Sequence, residues 1–268
     1  KVQPRVLLVG AACYGPASAL IAAARQRRIT TAEYQHGAIS AGHDAYNFAP
    51  AVLADTRYRQ TLPEVFLGYG SWWNEQINAP VTKLAIGYPH RAALLAKLEA
   101  QGASGGAHAE RSSLLLLSDG IEFDLYLQLA QAVRPAADRA GLRVCLRPHP
   151  LERGLVATFP AEAFGGIDID TEPDLYRSLE RAAVLVSEVS TGLFEAVGLV
   201  PRILLWDTPK ARFGYPVHPF ESFRDASELQ ALLEQGVQSR GVRLPSQAIW
   251  ADDWEANYRG FLAAHGVA

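Results

Sequence analysis

Short apolar runs alternate with helical stretches along almost the whole chain, and this alternation constrains the fold more than any other feature. Residues 6–10 (VLLVG) predict a buried strand, and residues 16–28 predict the helix that follows it. The alternation continues through predicted strands at 29–34, 64–70, 81–87, 113–118, 143–147, 167–170, 184–187 and 203–206. Strands that alternate with helices form parallel sheets covered on both faces. The pattern therefore predicts an α/β protein.

A segment of small and polar residues divides this pattern into two series. Residues 101–111 (QGASGGAHAER) contain three glycines and are the best candidate for a linker. We therefore predict two Rossmann-like parallel-sheet units facing a cleft, at residues 1–100 and 111–250, with a C-terminal helix at 251–268. The first series has only about four strands and the chain contains no methionine, so we expect a truncated piece of a longer protein.

Composition and missing motifs exclude several classes of protein. No apolar run reaches the roughly 18 residues that a membrane-spanning helix needs. The 25 basic and 28 acidic residues give a net charge of −3, without the basic excess of a nucleic-acid-binding protein. The chain lacks GxGxxG and GxxxxGKS/T, which disfavours nicotinamide cofactors and P-loop chemistry. No GxSxG elbow follows a predicted strand, which disfavours a serine hydrolase. Cys13 and Cys145 lack metal-ligand spacing and are predicted to be buried thiols.

The segment Arg147-Pro148-His149-Pro150 follows a predicted strand directly. Ligands of open parallel sheets bind beyond the carboxyl ends of the strands. The two prolines restrict the backbone around His149, so its imidazole can donate to a phosphate oxygen, and Arg147 can add positive charge. A rigid turn with a solvated histidine is the alternative interpretation.

A second candidate for anion binding starts at Ser187 and ends at the predicted helix that contains Glu195. The hydroxyls of Ser190 and Thr191, with free backbone N–H groups at a helix start, are typical of a phosphate site. An ordinary helix N-cap explains the same residues. Because both segments follow strands of one unit, we predict that they bind one nucleotide phosphate together.

Ser118-Asp119-Gly120 follows the first strand of the second series. Gly120 permits the close approach of a ligand or of another backbone segment. Asp119 can orient a ribose or face the acceptor. The alternative is an ordinary turn between a strand and a helix.

Acidic and imidazole side chains crowd the end of the second predicted strand. This group consists of Glu33, His36, His43 and Asp44. Such side chains can act as general acid, as general base or as hydrogen-bond donor to a phosphate. The two histidines lack a recognised ligand spacing, so we predict no metal. A polar loop with satisfied histidines is the alternative.

Together these segments resemble a known group of enzymes. Gln35-His36-Gly37, Gly87-Tyr88-Pro89, the segment at 147–150, and Ser190-Thr191 followed by Glu195-Ala196 are similar to GT-B glycosyltransferases of bacterial surface-polysaccharide synthesis. That group contains capsule-type Kdo transferases, bacterial sialyl- and polysialyltransferases and CDP-glycerol glycerophosphotransferases. The resemblance covers roughly residues 29–210.

The resemblance implies two Rossmann-like domains facing a cleft, with a cytidine-type donor held by the C-terminal one. His149, Ser190 and Thr191 would contact the donor phosphate, while the N-terminal domain would bind the acceptor and supply the catalytic carboxylate. It implies no bound metal and no cofactor beyond the nucleotide-sugar substrate. The sialyltransferase-type element with two acids is here Ser118-Asp119-Gly120, with only one acid. This leaves the catalytic carboxylate open between Glu33, Asp44, Asp119 and a residue in sequence absent from this chain.

The expected function is transfer of a Kdo or sialic-acid-type sugar from a CMP-linked or other nucleotide donor to a bacterial surface glycan or lipid-linked glycan. We expect a cytoplasmic location at the inner face of the membrane, with at most peripheral membrane association. The alternatives are a nucleotide-sugar 2-epimerase of the UDP-GlcNAc type and a non-catalytic nucleotide-binding module of a larger polysaccharide synthase. The predicted site residues fall into three sets: catalytic Asp44, Glu33, His36 and Asp119; donor-binding Arg147, His149, Ser187, Ser190, Thr191, Glu195 and Gly120; and acceptor-side Gln35, Gly37 and His43.

Overall fold

The computed structural model describes residues 3–105, 111–236 and 242–267. The chain forms two compact units. The first contains residues 1–90, 214–217 and 244–268, and the second contains 91–213 and 218–243. The helices and strands are, in chain order, β1 (Val6–Val9), α1 (Ser18–Gln26), β2 (Thr30–Tyr34), α2 (Pro50–Ala54), α3 (Thr56–Arg59), β3 (Val65–Gly68), α4 (Ser71–Glu75), β4 (Thr82–Ala85), α5 (Pro89–Gly105), β5 (Ser113–Leu117), α6 (Phe123–Arg139), β6 (Arg143–Arg147), α7 (Arg153–Val156), β7 (Asp168–Ile169), α8 (Leu175–Arg181), β8 (Ala182–Ser187), α9 (Thr191–Glu195), β9 (Arg202–Trp206), α10 (Pro209–Gly214), β10 (Glu221–Phe223), α11 (Ala226–Glu234), α12 (Ser246–Ile249) and α13 (Trp254–Ala264).

The first unit is built on a four-stranded parallel sheet in the order β1-β2-β3-β4. Ala32 of β2 and Val65 and Leu67 of β3 are buried in one cluster with Phe261 of α13. The indole N–H of Trp73 donates to the carbonyl of Ile249 at 3.0 Å. The C-terminal tail therefore completes the core of the first unit.

The tail differs from the predicted boundaries, which gave residues up to 250 to the second unit and 251–268 to a separate helix. Residues 244–268 belong instead to the first unit, because they carry apolar side chains that cover its sheet. The predicted linker also differs. Residues 101–105 continue helix α5, and 106–110 lie outside the described residues.

The second unit contains a six-stranded parallel sheet in the order β10-β9-β8-β5-β6-β7. Residues 114–117 and 182–187 are buried throughout because helices cover both faces of the sheet. The two parallel sheets confirm the predicted α/β class. Strand β10 and helix α7 were not predicted. The sequence predicts a helix over residues 191–199, and α9 is shorter, ending at Glu195 after five residues.

The chain reverses its direction of travel across this second sheet at strand β5. From β5 it proceeds outward through β6 and β7, and it then returns to place β8 on the other side of β5. Ligands of such sheets bind in the crevice at this switch point. Within the described part of the chain, no helix is both long and apolar enough to span a membrane. Cys13 and Cys145 are buried and unpaired, as predicted.

Candidate functional site

A hollow of about 330 Å³ lies at the carboxyl ends of the central strands of the second unit. Leu117 of β5 is in register with Arg147 of β6 on one side and with Ser187 of β8 on the other. The segments that follow these three strands therefore emerge at one edge of the sheet. Of the predicted donor-binding residues, those that line the hollow are Arg147, His149, Ser190 and Thr191.

The imidazole of His149 is oriented by its own turn. The backbone N–H of His149 donates to Oγ of Ser118 at 2.8 Å and to Oε2 of Glu152 at 2.9 Å. The backbone N–H of Leu151 donates to His149 Nδ1 at 3.3 Å. Because Nδ1 accepts this hydrogen bond, the ring proton lies on Nε2. His149 therefore keeps a donor available for an anionic ligand.

Glu152 is a residue of this site that sequence reasoning missed. Its side chain is buried, and Oε2 also accepts from the Ser118 hydroxyl. A carboxylate that accepts from two directions holds the turn closed around the histidine. The only signal in the sequence is an acid three residues after His149, which is a spacing common to many turns.

Gly120 meets His149 directly. Its backbone has φ +94°, and a Cβ atom there would lie 2.7 Å from Nδ1 of His149. Gly120 was predicted to bind the donor nucleotide, but it lies outside the set of residues that lines the hollow. The structure shows instead that glycine makes room for the imidazole.

Arg147 lines the hollow, but its guanidinium is engaged within the protein. Nη1 donates to Oδ2 of Asp170 at 3.2 Å and to Oγ of Ser178 at 3.0 Å, and Nη2 donates to the carbonyl of Pro173 at 3.4 Å. The Arg147 side chain is 7% exposed. The structure therefore places Arg147 in a buried ion pair, and its guanidinium is used within the protein rather than for binding a ligand.

Ser190 and Thr191 reach the hollow at the start of α9. Oγ of Ser190 accepts from the N–H of Gly192 at 3.1 Å, which is an ordinary N-cap. Helix α9 has only five residues, so we assign ligand binding to the side chains of this segment and not to the N-terminus of the helix. These are the hydroxyl of Thr191, which is exposed, and that of Ser190.

Two other predicted donor-binding residues do not reach the hollow. Ser187 is fully buried, and its hydroxyl donates to the carbonyl of Leu117 at 2.7 Å. Glu195 lies at the end of α9, where its carbonyl accepts from Arg91 at 3.5 Å. Both residues lie beside the site and belong to the strand and helix that frame it.

Asp119 belongs to a separate cluster built around Lys210. The ammonium of Lys210 donates to Asp119, to Glu122 at 3.1 Å, and lies 3.5 Å from Glu188. Three carboxylates this close can hold a metal ion, but the ammonium supplies the positive charge among them here. Burial raises the pKa of Asp119, but hydrogen bonds from Lys210 and from two backbone N–H groups outweigh it and hold that pKa below its usual value. Burial raises the pKa of Glu188.

The first unit gathers its predicted acid and imidazole residues at the end of β2. Glu33 is fully buried, and it accepts from the Tyr46 hydroxyl and, at 3.1 Å, from the Cys13 backbone N–H. Nδ1 of His36 lies 4.0 Å from Oε1 of Glu33. Nε2 of His43 lies 2.8 Å from the Tyr14 hydroxyl. Glu33, His36 and His43 thus form one cluster, as the sequence predicted.

The remaining predicted residues of this unit lie around that cluster. Gln35 is buried and has a structural role, since Oε1 accepts from the Tyr69 N–H and Nε2 donates to the Gly37 carbonyl, both at 2.8 Å. Asp44 is exposed. Burial lowers the pKa of His43, against the opposing charge of Asp44.

The fold is shared with solved enzymes at low sequence identity. The UDP-GlcNAc 2-epimerase of Methanocaldococcus jannaschii, solved with UDP-GlcNAc and UDP, superposes with a TM-score of 0.57 at 13% identity, over 97% of this chain and 76% of its own. The wall teichoic acid polymerase TagF superposes with a TM-score of 0.50 at 14% identity, over 90% and 69%. S. aureus MnaA, solved with UDP, superposes with a TM-score of 0.53 at 10% identity, over 99% of this chain and 75% of its own.

No protein-family model and no curated protein match the sequence. At these identities the structural likeness shows the fold alone. The chain has the GT-B fold, with a parallel sheet in each of its two units.

Proposed function

We propose that this protein is a glycosyltransferase that takes its donor as a nucleotide sugar. One observation carries the proposal: the oriented imidazole of His149 and the hydroxyls of Ser190 and Thr191 line one hollow at the switch point of the second sheet. These groups are neutral hydrogen-bond donors that suit a phosphate. The fold shared with TagF, with a UDP-GlcNAc 2-epimerase solved with UDP-GlcNAc and UDP, and with MnaA solved with UDP supports a nucleotide-linked substrate.

Stabilisation of the leaving group is the task of the second unit. When the bond between the sugar and the phosphate breaks, its electron pair passes to the phosphate oxygen. The Nε2–H of His149 donates to that oxygen as its negative charge grows, and Ser190 and Thr191 donate to the others. Donors that are oriented before the reaction stabilise such charge without reorganisation.

Removal of a proton from the acceptor hydroxyl is the task of the first unit. Glu33 is fully buried and both of its oxygens already accept hydrogen bonds, so it does not meet the acceptor itself. His36 lies beside it with a side chain that is 35% exposed. We assign the role of general base to His36, with Glu33 as the carboxylate that stabilises the imidazolium. Asp44, which is exposed, is the alternative base.

The donor and acceptor are proposed more finely from the sequence motifs. The segments at 35–37, 147–150 and 190–191 favour a CMP-linked sugar of the Kdo or sialic-acid type and a bacterial surface glycan as acceptor. A cytoplasmic enzyme at the inner face of the membrane would meet both. No cofactor beyond the donor is required by this scheme.

Thermal shift with CMP, CDP, UDP and GDP tests the donor class, because a ligand that binds the folded state raises its melting temperature. We expect a cytidine nucleotide to give the largest shift. His149→Ala is expected to lose the shift and to abolish transfer, with an unchanged melting temperature without ligand. His36→Ala is expected to lose transfer and keep the shift. Full turnover by His149→Ala would refute this mechanism.

A nucleotide-sugar 2-epimerase is the second candidate, favoured by the TM-score of 0.57 to the UDP-GlcNAc 2-epimerase, against 0.50 to TagF. Incubation with UDP-GlcNAc and no acceptor separates the two. An epimer in the product would establish the second candidate. Binding of a nucleotide without either reaction would identify a non-catalytic nucleotide-binding module.

A further inference from the structure

We propose that Arg153 is the cation that binds the donor phosphate, in the place that the sequence predicted for Arg147. This inference rests on the proposed function and adds a residue to its donor site. It concerns the one charged group at the hollow whose hydrogen-bonding capacity is unused in the described part of the chain.

The first observation is the unpaired guanidinium of Arg153. Its Nε atom is buried and has no hydrogen-bond partner among the described residues. No described carboxylate or carbonyl pairs with the rest of the group either. A buried donor without a partner costs stability, and proteins rarely leave one without a reason. A ligand that accepts from this nitrogen would remove that cost.

The second observation is the position of Arg153. It lines the hollow with His149, Ser190 and Thr191, so all four side chains border the same space. It is the first residue of α7, directly after Glu152, whose carboxylate is hydrogen-bonded to the His149 turn. The two candidate phosphate ligands, His149 and Arg153, are therefore held by one short, closed segment.

The contrast with Arg147 decides which arginine is available. Both line the hollow, but Arg147 already donates to Asp170, Ser178 and Pro173. A guanidinium presents several N–H donors in a planar fork that matches two phosphate oxygens. Arg153 retains that fork, and Arg147 has used it within the protein.

The ligand class follows from a second space that Arg153 also lines. A second hollow of about 310 Å³ is lined by Arg153 and by the apolar side chains of Val156, Phe159 and Phe164. A molecule whose phosphate meets Arg153 therefore has an apolar space beside it for a flat ring. That combination fits a phosphate ester of a nucleoside better than inorganic phosphate.

The experiment is isothermal titration calorimetry, which measures the affinity of the full chain and its variants for CMP, cytidine and inorganic phosphate. Arg153→Ala is expected to weaken CMP binding about tenfold to a hundredfold, the usual range for a lost hydrogen bond to a charged group. It is expected to leave cytidine binding unchanged. Arg153→Lys is expected to recover part of the loss, since it restores the charge without the fork. CMP is expected to bind more tightly than phosphate.

The matched control is Arg224→Ala. Arg224 belongs to the same unit, is 71% exposed and pairs with Glu228 at 3.4 Å, and it is not among the residues that line the hollow. This variant is expected to bind CMP within about twofold of the wild type, because exposed charges are screened by salt. Equal weakening by Arg153→Ala and Arg224→Ala would show a general effect of charge and overturn the proposal.

The remaining outcomes separate this inference from the proposed function. If Arg153→Ala binds CMP like the wild type while His149→Ala does not, the role of Arg153 is wrong and the donor site stands. If the wild type binds none of CMP, CDP, UDP and GDP, both the proposed donor site and the proposed role of Arg153 are wrong.

Discussion

Gly120 and His149 fit against each other so closely that a Cβ atom on residue 120 would lie 2.7 Å from the His149 Nδ1. This contact joins the end of β5 to the turn after β6. It gives the glycine a role that depends on the imidazole, and the role can be tested.

Gly120→Ala is expected to displace His149 and to lower transfer at least tenfold. The positive φ also strains alanine by about 1–2 kcal/mol. Gly141→Ala is the matched control, because Gly141 has φ +71° and a Cβ atom there would meet nothing within 4 Å. By urea titration, Gly120→Ala is expected to lose at least as much unfolding free energy as Gly141→Ala, because only its methyl group meets His149, and only Gly120→Ala is expected to lose activity. Equal activity in the two would contradict the contact.

Arg147→Ala is expected to act on stability, since Arg147 and Asp170 form a buried ion pair with side chains 7% and 10% exposed. Loss of one partner leaves a buried charge and costs about 3–5 kcal/mol. Arg143→Ala, on the same strand, removes a pair with Asp168 whose side chains are 67% and 52% exposed, and is expected to cost under about 1 kcal/mol. Urea unfolding of the two variants measures the difference. Equal losses would show that the pair at Arg147 is not effectively buried.

Lys210→Met is expected to lower the free energy of unfolding more near pH 7 than near pH 5. In the wild type the lowered pKa of Asp119 stabilises the fold above the usual carboxyl pKa, and this contribution is lost as the pH falls through the lowered value. Without the ammonium, the three carboxylates of Asp119, Glu122 and Glu188 repel one another when ionised, so the pKa values of Asp119 and Glu188 rise. The variant is then expected to lose about 1–3 kcal/mol near pH 7 and to recover part of it near pH 5, where the carboxylates take up protons.

The control for this prediction is Arg139→Met. Arg139 pairs with Glu234 at 2.6 Å on the surface, with side chains 61% and 55% exposed. Its loss is expected to change unfolding free energy by under about 1 kcal/mol, by the same amount at both pH values. A deficit in Lys210→Met that stays constant with pH would show that the three carboxylates do not depend on Lys210.

The sheets could be predicted from the sequence because buried parallel strands appear as unbroken apolar runs. Residues 114–117 and 182–186 are such runs, and the polar residues after them lie where the sheet ends. His149, Ser190 and Thr191 were found in this way. This rule, that polar residues directly after an apolar strand mark the edge of the sheet, depends only on neighbouring residues. It can therefore be applied without knowledge of the rest of the chain.

The choice between Arg147 and Arg153 could not be predicted in the same way. It depends on Asp170 and Ser178, which lie more than twenty residues away in sequence and reach Arg147 only when the sheet has formed. The role of Glu152 is hidden for a related reason, because its partner Ser118 comes from another strand. Local spacing locates the edge of a sheet, but long-range contacts decide which side chains remain available there.

The path of the chain has a consequence for the order in which its two units mature during synthesis. The first unit needs residues 244–268 for its core, so it stays incomplete until the ribosome has translated that segment. Residues 91–213, which form most of the second unit, have been made by then. The unit that begins first is therefore finished last, and a stop codon just before residue 244 would harm the unit encoded upstream of the other.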